Sequence, residues 1–323
     1  YTNVFQMLLL IAVSLLLVVI GVNKAGGPET IYHATPSSYW NLLMPMDDKN
    51  YPWIAILLGY PIMGVWFWCT DQSMVQSVLG AKSLKQGQLG ANFIGWLKIL
   101  DVPLFILPGI ICFVLFPGLK NPDEAYMTMV TQLFPAGLRG LIIVVLIAAL
   151  ISTIGSALNS LSTVFTMDIY VKRHNPNASQ KSIIKTGRVV VLLGSLLSII
   201  VTLGIDSIKG LNLFDIFQSI LGFIAPPMSV VFLFGVLWNK TTTRAANLVL
   251  TVGTFISMGT GVLYLWVFPN GTYNWPHFLL LSFYIFVVLS VMIFLISIAD
   301  KKGQKDHQAL LKIDPAAKPD KQV

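Results

Sequence analysis

The chain has 323 residues, of which 55% are hydrophobic and only 11% are charged, and its mean hydropathy is +0.75. Soluble globular domains carry about 25% charged residues, so the composition excludes a soluble domain and indicates a chain surrounded by lipid. The net charge of +7 would suit a nucleic-acid-binding protein, but the position of the basic residues gives it another explanation.

Eight apolar segments are long enough to cross a bilayer, which takes about 20 predominantly apolar residues. We therefore predict an all-α polytopic membrane protein with about eight transmembrane helices. Residues 1–298 are expected to form a single transmembrane helical domain, and residues 299–323 a polar cytoplasmic tail or loop. The predicted spans are 4–22, 53–74, 95–116, 137–166, 189–203, 213–238, 246–268 and 278–298.

The loops that follow the second, fourth and sixth predicted spans, together with the tail, hold most of the lysines and arginines. Cytoplasmic loops of membrane proteins are enriched in these residues, so this side is predicted to be cytoplasmic. The first span then runs outward, and no nucleic acid is needed to account for the charge. Because the chain opens on Tyr1 and its first apolar run starts at once, we expect it to be a piece of a longer protein.

The second span contains Pro61, which removes a backbone donor, with Gly59 and Gly64 on either side. This predicts either an ordinary proline kink or a discontinuous helix of the kind that exposes backbone groups to substrate in transporters. The aromatic run from Trp66 to Trp68 could stack on a sugar ring, although clustered aromatic residues more often serve packing or the membrane interface.

Polar residues within the other spans mark a cavity, an ion path or a helix contact, because they are costly in lipid. Lys98 and Asp101 share a helix face, so they form an internal ion pair or leave Lys98 to bind a substrate hydroxyl or carboxylate. In the sixth span, Gln218 follows Asp215 and suits either a polyol or an amide contact between helices. Further along that span, Pro226 and Pro227 are expected to interrupt the backbone hydrogen-bond ladder.

The fourth span carries one polar stripe at steps of three and four residues, with Thr153 beside it. Small and hydroxyl residues usually form helix contacts in membranes, and that is one interpretation. The other is a sodium site, since hard cations prefer oxygen ligands. The stripe consists of Ala149, Ser152, Ser156, Asn159 and Thr163.

No enzyme motif stands out: the sequence has no phosphate-cradling glycine loop, no nucleophile elbow and no Cys/His metal spacing. Its two cysteines, Cys69 and Cys112, lie within apolar runs, where a structural disulfide is not expected. We therefore predict that the protein is not an enzyme.

Several motifs, in order from about residue 1 to residue 244, together resemble the sodium:solute symporter family, in particular its sodium/glucose cotransporters. Residues 67–72 resemble the family's Tyr-Trp-Cys-Thr-Asp-Gln signature, and residues 159–170 its Asn-Ser…Phe-Thr-Met-Asp-Ile-Tyr run. Further matches lie at residues 75–76, 97–99, 135–140, 187–188 and 213–220.

The resemblance implies a transporter fold of two inverted five-helix repeats, with the first repeat mostly missing from this chain. The first span would be the last helix of repeat one, spans two to six would form repeat two, and spans seven and eight would be peripheral. The helix that would partner the second span would lie in the missing part.

The resemblance also implies site residues. Lys98 and Gln218 fall on the family's sugar-contacting positions, and Phe67 and Trp68 on its inner-gate aromatic pair, with Gly64 expected to join these in binding substrate. The sodium ligands fall on Ala149, Ser152 and Thr153.

Four positions depart from the family pattern. Phe67 lacks the usual tyrosine hydroxyl, whereas Thr153 replaces serine and keeps its oxygen. Asn3 replaces an aspartate associated with sodium release or a second sodium, so a second sodium site built in the same way is not expected. Asp101 is unusual at its position, where we expect it to tune Lys98.

These features predict a multi-pass plasma-membrane symporter that uses co-transported sodium to import a sugar or polyol, such as a hexose or inositol, by alternating access. Two alternatives stay open on the same scaffold: a sodium-coupled symporter of a small carboxylate or amino acid, and a non-transporting sodium-gated sugar sensor. A proton-coupled carrier is less favoured because the polar stripe has no titratable group.

Overall fold

The computed structural model describes residues 2–48, 50–205, 212–268 and 274–304. Most of the expected tail, residues 305–323, lies outside the described residues, as do Lys49 and Lys209 from the loops. The α-helices are α1 (Thr2–Lys24), α2 (Pro28–Ala34), α3 (Trp53–Val65), α4 (Gln72–Leu79), α5 (Leu84–Leu97), α6 (Leu107–Leu115), α7 (Ala125–Leu133), α8 (Ala136–Val164), α9 (Gln180–Ile205), α10 (Leu213–Leu237), α11 (Thr243–Leu248), α12 (Thr254–Val262) and α13 (Phe278–Ala299).

Short segments of other helical geometry join or flank these helices. Turns of 3₁₀-helix lie at Ser37–Trp40, Lys98–Leu100 and Pro122–Glu124. The π-helical segments are Trp66–Thr70, Val102–Ile106, Phe165–His174, Val249–Gly253 and Leu263–Val267.

Over the described residues, 8 helical segments are long and apolar enough to cross a membrane, which confirms the predicted number of spans. The third, fourth and fifth run further than predicted, because a helix continues beyond the lipid into polar turns that water can solvate. The segments are Asn3–Lys24, Trp53–Thr70, Leu84–Leu115, Ala136–His174, Gln180–Ile205, Leu213–Leu237, Thr243–Val267 and Phe278–Ala299.

Many apolar side chains of these segments point away from the rest of the protein. In the most apolar stretch of the fifth segment, only 6% of the residues are buried. The sixth segment is the most enclosed, with 39% of the corresponding residues buried. Such exposure would be unfavourable in water, so these faces fit lipid or further protein, as expected of a multi-pass membrane protein.

The chain forms two compact units, and the first comprises Tyr1–Leu42 and Gln76–Ser207. Its apolar core includes Leu17, Ile111, Met129 and Phe134, all at most 1% exposed. Within this core region, the hydroxyls of Ser14 and Tyr126 share a hydrogen bond of 2.9 Å, which joins α1 to α7.

The second unit comprises Leu43–Val75 and Ile208–Val323, and its helices approach one another through glycines. A Cβ on Gly59 of α3 would lie 2.6 Å from the backbone oxygen of Leu279 in α13. A Cβ on Gly261 would lie 2.9 Å from the Phe223 ring. Both contacts require glycine because a methyl group would overlap the facing helix. The expectation of a single helical domain over residues 1–298 stays a prediction.

Helix α10 runs without interruption from Leu213 to Leu237 although it contains Pro226 and Pro227, which have no backbone N–H to donate. Pro227 cannot donate to the carbonyl of Phe223, four residues earlier, but the hydroxyl of Ser257 in α12 donates to that carbonyl instead. Membrane helices tolerate proline where a neighbouring hydroxyl satisfies the freed carbonyl.

The second span is interrupted later than expected. Helix α3 continues through Pro61 and passes into the π-helical segment Trp66–Thr70. The backbone becomes extended at Asp71, with ψ 119°, and α4 begins at Gln72. The Asp71 carboxylate accepts the backbone N–H of Ser73 at 2.9 Å and so caps α4.

Candidate functional site

The predicted sodium ligands lie together near the middle of α8, in the first unit. Ala149 and Ser152 are half-buried and Thr153 is exposed. The hydroxyl of Ser152 donates a hydrogen bond of 3.4 Å to the side-chain oxygen of Asn3 in α1. The hydroxyl of Thr153 bonds to no described residue, so its oxygen is free to accept another contact.

Further along the same stripe, Asn159 and Thr163 line a cavity together with Ile183, Gly187 and Val191 of α9. Ser156 and Asn159 are exposed, and the hydroxyl of Thr163 donates to the Asn159 carbonyl at 2.8 Å. The polar side chains of the stripe therefore offer only neutral oxygens, and those of Ser156 and Asn159 belong to exposed residues. Neutral oxygens suit a hard monovalent cation and cannot relay a proton by titration.

The Lys98 and Asp101 side chains form an ion pair in the first unit, with 2.9 Å between Nζ and Oδ2. Lys98–Leu100 is a turn of 3₁₀-helix, in which residues i and i+3 lie directly above one another. The side chains are 57% and 45% exposed, so the pair is not enclosed by its own unit.

The predicted substrate residues of the second unit follow one face of α3 and its π-helical extension. Tyr60, Gly64 and Phe67 are spaced by four and three residues, which places them on the same side. A Cβ on Gly64 would meet nothing within 4 Å, so the backbone is open to an approaching group. The rings of Phe67 and Trp68 lie edge to face with centroids 5.0 Å apart, and Trp68 is 43% exposed.

Gln218 of α10 is held against this same face of α3. Its Nε2 donates a hydrogen bond of 3.1 Å to the hydroxyl of Tyr60. The amide keeps its oxygen as an acceptor, and the Tyr60 hydroxyl keeps its own proton to donate. Tyr60 was not predicted as a site residue, although its spacing of four residues from Gly64 was a signal in the sequence.

A second polar group lies one turn earlier on α10 and includes the loop before α3. The Tyr51 hydroxyl donates to the Asp215 carboxylate, which also accepts from the Asn212 amide at 2.8 Å. Burial, and next the hydrogen bond to Asp215, raise the pKa of Tyr51, so its hydroxyl stays protonated. The ring of His277, at the start of α13, lies 5.2 Å from that of Tyr51, and burial lowers the pKa of His277.

The structure therefore groups the predicted residues within each unit. In the first unit, Ala149, Ser152 and Thr153 form one patch beside Asn3, and Lys98 pairs with Asp101. In the second unit, Gln218 is bound to the helix that carries Gly64 and continues into Phe67 and Trp68. The assignment of these residues to sodium and to substrate stays a prediction.

Known proteins of similar sequence are named as sodium-coupled transporters. The chain is 32% identical over 292 residues to the sodium/glucose cotransporter 4 of Danio rerio, covering 80% of this chain and 44% of that protein. It is 38% identical over 215 residues to the human sodium/myo-inositol cotransporter 2, covering 61% of this chain and 32% of that protein. The chain thus spans less than half the length of these relatives.

A solved structure has a similar fold. It is the substrate-bound outward-open state of a sodium-coupled sialic acid symporter, which matches with a TM-score of 0.70 at 21% identity over 92% of this chain and 61% of that chain. At this identity the likeness concerns the fold alone. The model of the sodium:solute symporter family matches residues 1–253, most of the sequence, and the chain therefore belongs to the sodium:solute symporter family.

Proposed function

We propose that this chain is part of a plasma-membrane symporter that couples inward sodium movement to the import of a sugar or polyol, such as a hexose or myo-inositol. The proposal rests on family membership together with one observation, the open patch of neutral oxygens at Ala149, Ser152 and Thr153 beside Asn3. Such a patch suits sodium rather than a proton, because none of its groups titrates near neutral pH.

The hydrogen bond between Gln218 and Tyr60 supports the proposal that the substrate is a polyol. Together these side chains offer one amide oxygen, one remaining amide proton and one phenolic proton. Sugars and inositols present hydroxyls that both donate and accept, so a mixed neutral surface is complementary to them. The relatives named as glucose and myo-inositol cotransporters point to the same substrate class.

Sodium and sugar transport would be coupled because both solutes stabilise the same conformational state. If sodium at the α8 patch and sugar at the α3 and α10 residues both favour the outward-open state, binding of either increases the affinity for the other. A conformational change would then release both on the cytoplasmic side.

The test uses the native protein that contains this chain, reconstituted in proteoliposomes with an inward sodium gradient. Uptake is measured for hexoses, myo-inositol and small carboxylates, in the wild type and in the Ser152→Ala and Gln218→Ala variants. We expect sodium-dependent uptake of a sugar or polyol, with Ser152→Ala raising the sodium concentration for half-maximal uptake and Gln218→Ala raising the KM for sugar. Uptake of carboxylates alone, or sugar uptake unchanged by both substitutions, would contradict the proposal.

Two controls separate other functions. Uptake driven by a pH gradient without sodium would indicate a proton-coupled carrier. Sodium-dependent currents without solute accumulation would indicate a sodium-gated sensor.

A further inference from the structure

The ion pair of Lys98 and Asp101 lies in an unusual setting. It is located inside the third candidate span, Leu84–Leu115, yet both side chains are about half exposed within the described protein. Charged side chains in a membrane span rarely face lipid, because burying them in hydrocarbon is costly. This face of the helix is therefore expected to border a water-filled or protein-lined space.

The local backbone holds the pair in place. The 3₁₀ turn Lys98–Leu100 aligns Lys98 with Asp101, and the helix then widens into the π-helical segment Val102–Ile106. Among the described residues there are two ion pairs, and the other, between Lys172 and Asp168, lies in the terminal π-helical segment of the fourth span. Of these two ion pairs, Lys98–Asp101 is the one that lies in the interior of a span.

We propose that Asp101 is a specificity-determining residue that makes this site selective for uncharged polyols over anionic sugars. The inference rests on the proposed function and on the predicted assignment of Lys98 to the substrate. A lone Lys98 ammonium would attract a carboxylate, whereas the Lys98–Asp101 pair has no net charge.

The pair also keeps the hydrogen-bonding groups that a diol needs. The Lys98 ammonium uses one of its three protons on Asp101 Oδ2 and keeps the others to donate. Asp101 Oδ1 remains an acceptor. Two adjacent sugar hydroxyls can therefore accept from Lys98 and donate to Asp101. A carboxylate can only accept, and the repulsion that it meets from Asp101 offsets its attraction to Lys98.

The experiment compares two solutes that share a ring and differ in charge. Sodium-driven uptake of glucose or myo-inositol, whichever the reconstituted native protein transports, is inhibited with glucuronate and separately with its uncharged methyl ester. In the wild type we expect the methyl ester to inhibit more strongly than glucuronate, by at least about tenfold. Equal inhibition by both would overturn the inference without requiring any variant.

Substitutions then assign the selectivity to Asp101. In Asp101→Asn the preference for the neutral ester should fall by about tenfold, because the Lys98 charge is no longer compensated. Asp101→Glu keeps the carboxylate and should stay close to the wild type. Asp168→Asn removes the acid of the other ion pair and should leave the ratio unchanged.

The possible failures can be told apart. Sodium-driven sugar uptake with the same ester-to-glucuronate ratio in Asp101→Asn and wild type would refute the role of Asp101 and leave the proposed function intact. If the wild type shows no sodium-driven uptake of any neutral sugar or polyol, both the proposed function and this inference are wrong.

Discussion

The amide nitrogen of Gln218 donates a 3.1 Å hydrogen bond to the hydroxyl of Tyr60, across 158 residues of sequence. The bond joins α10 to the face of α3 that carries Gly64. It orients the Gln218 amide so that its oxygen points away from Tyr60, and it makes Tyr60 a positioning residue for a predicted substrate contact.

Removing the Tyr60 hydroxyl should weaken sugar binding through Gln218. A neutral hydrogen bond contributes about 1 kcal/mol, so Tyr60→Phe should raise the KM for sugar by about fivefold with a smaller effect on the maximal rate. Sodium-driven uptake in proteoliposomes measures both. Tyr284→Phe is the matched control, since Tyr284 of α13 is 49% exposed and its hydroxyl bonds to no described residue. An equal rise of KM in both variants would refute the role given to Tyr60.

Asn3, the hydrogen-bond partner of Ser152, should influence the affinity for sodium. Asn3→Asp places a carboxylate beside the Ser152 hydroxyl, and a nearby negative charge should lower the sodium concentration for half-maximal uptake by several-fold. Ser152→Ala removes an oxygen and should raise that concentration. Ser198→Ala serves as control, because the Ser198 hydroxyl of α9 is bonded to the Gly194 carbonyl of its own helix. No change in sodium dependence with Asn3→Asp would argue against sodium at this patch.

The hydroxyl of Ser257 should be essential for the stability of the second unit. Ser257→Ala leaves the Phe223 carbonyl, to which Pro227 cannot donate, buried without a donor, which should cost about 1 to 3 kcal/mol. The measurement is the midpoint of thermal unfolding in detergent. Ser290→Ala is the control, since the buried Ser290 hydroxyl has no hydrogen-bond partner among the described residues. Equal midpoints for the two variants would contradict the account of α10.

Two glycines of α3 should respond differently to the same substitution. Gly59→Ala would place a methyl group 2.6 Å from the Leu279 backbone oxygen, and the resulting displacement should cost about 1 to 3 kcal/mol. Gly64→Ala meets nothing within 4 Å and should leave the thermal midpoint unchanged or slightly raised, because alanine is the better helix former. The reverse order of midpoints would contradict the packing of α3 on α13.

Acid should destabilise the start of α13 through His277. Its Nδ1 accepts the backbone N–H of Leu279 at 3.3 Å, which a protonated ring cannot do. Because burial lowers the folded-state pKa below the ordinary 6.5, the neutral ring contributes stability above about pH 6.5, and this is lost as the pH falls through the folded pKa.

The test of this pH dependence is His277→Asn, which keeps an N-cap acceptor but does not titrate. Its thermal midpoint should fall less than that of the wild type when the pH is lowered from about 7.5 to about 5. An identical decrease in the two proteins would show that other groups govern the acid sensitivity.

Much of the fold could be predicted from local sequence, and the exceptions have local physical causes. A run of about 20 apolar residues is favourable in lipid whatever its neighbours, so all eight spans were found. Proline spacing was less informative, because a hydroxyl from another helix accommodates Pro227 and the second span is interrupted at Asp71 rather than at Pro61. Neither feature can be deduced from the positions of the prolines in the sequence.

The sequence by itself determined the membrane class, the number of spans and the family, because hydrophobic transfer and motif order depend on residues close together in the chain. It also determined which polar residues lie within spans. The tertiary structure decided which of those residues meet: Asn3 with Ser152, Tyr60 with Gln218, and Ser257 with the Phe223 carbonyl. These hydrogen bonds join residues distant in sequence and form only where helix packing brings donor and acceptor within about 3 Å, which no local pattern specifies.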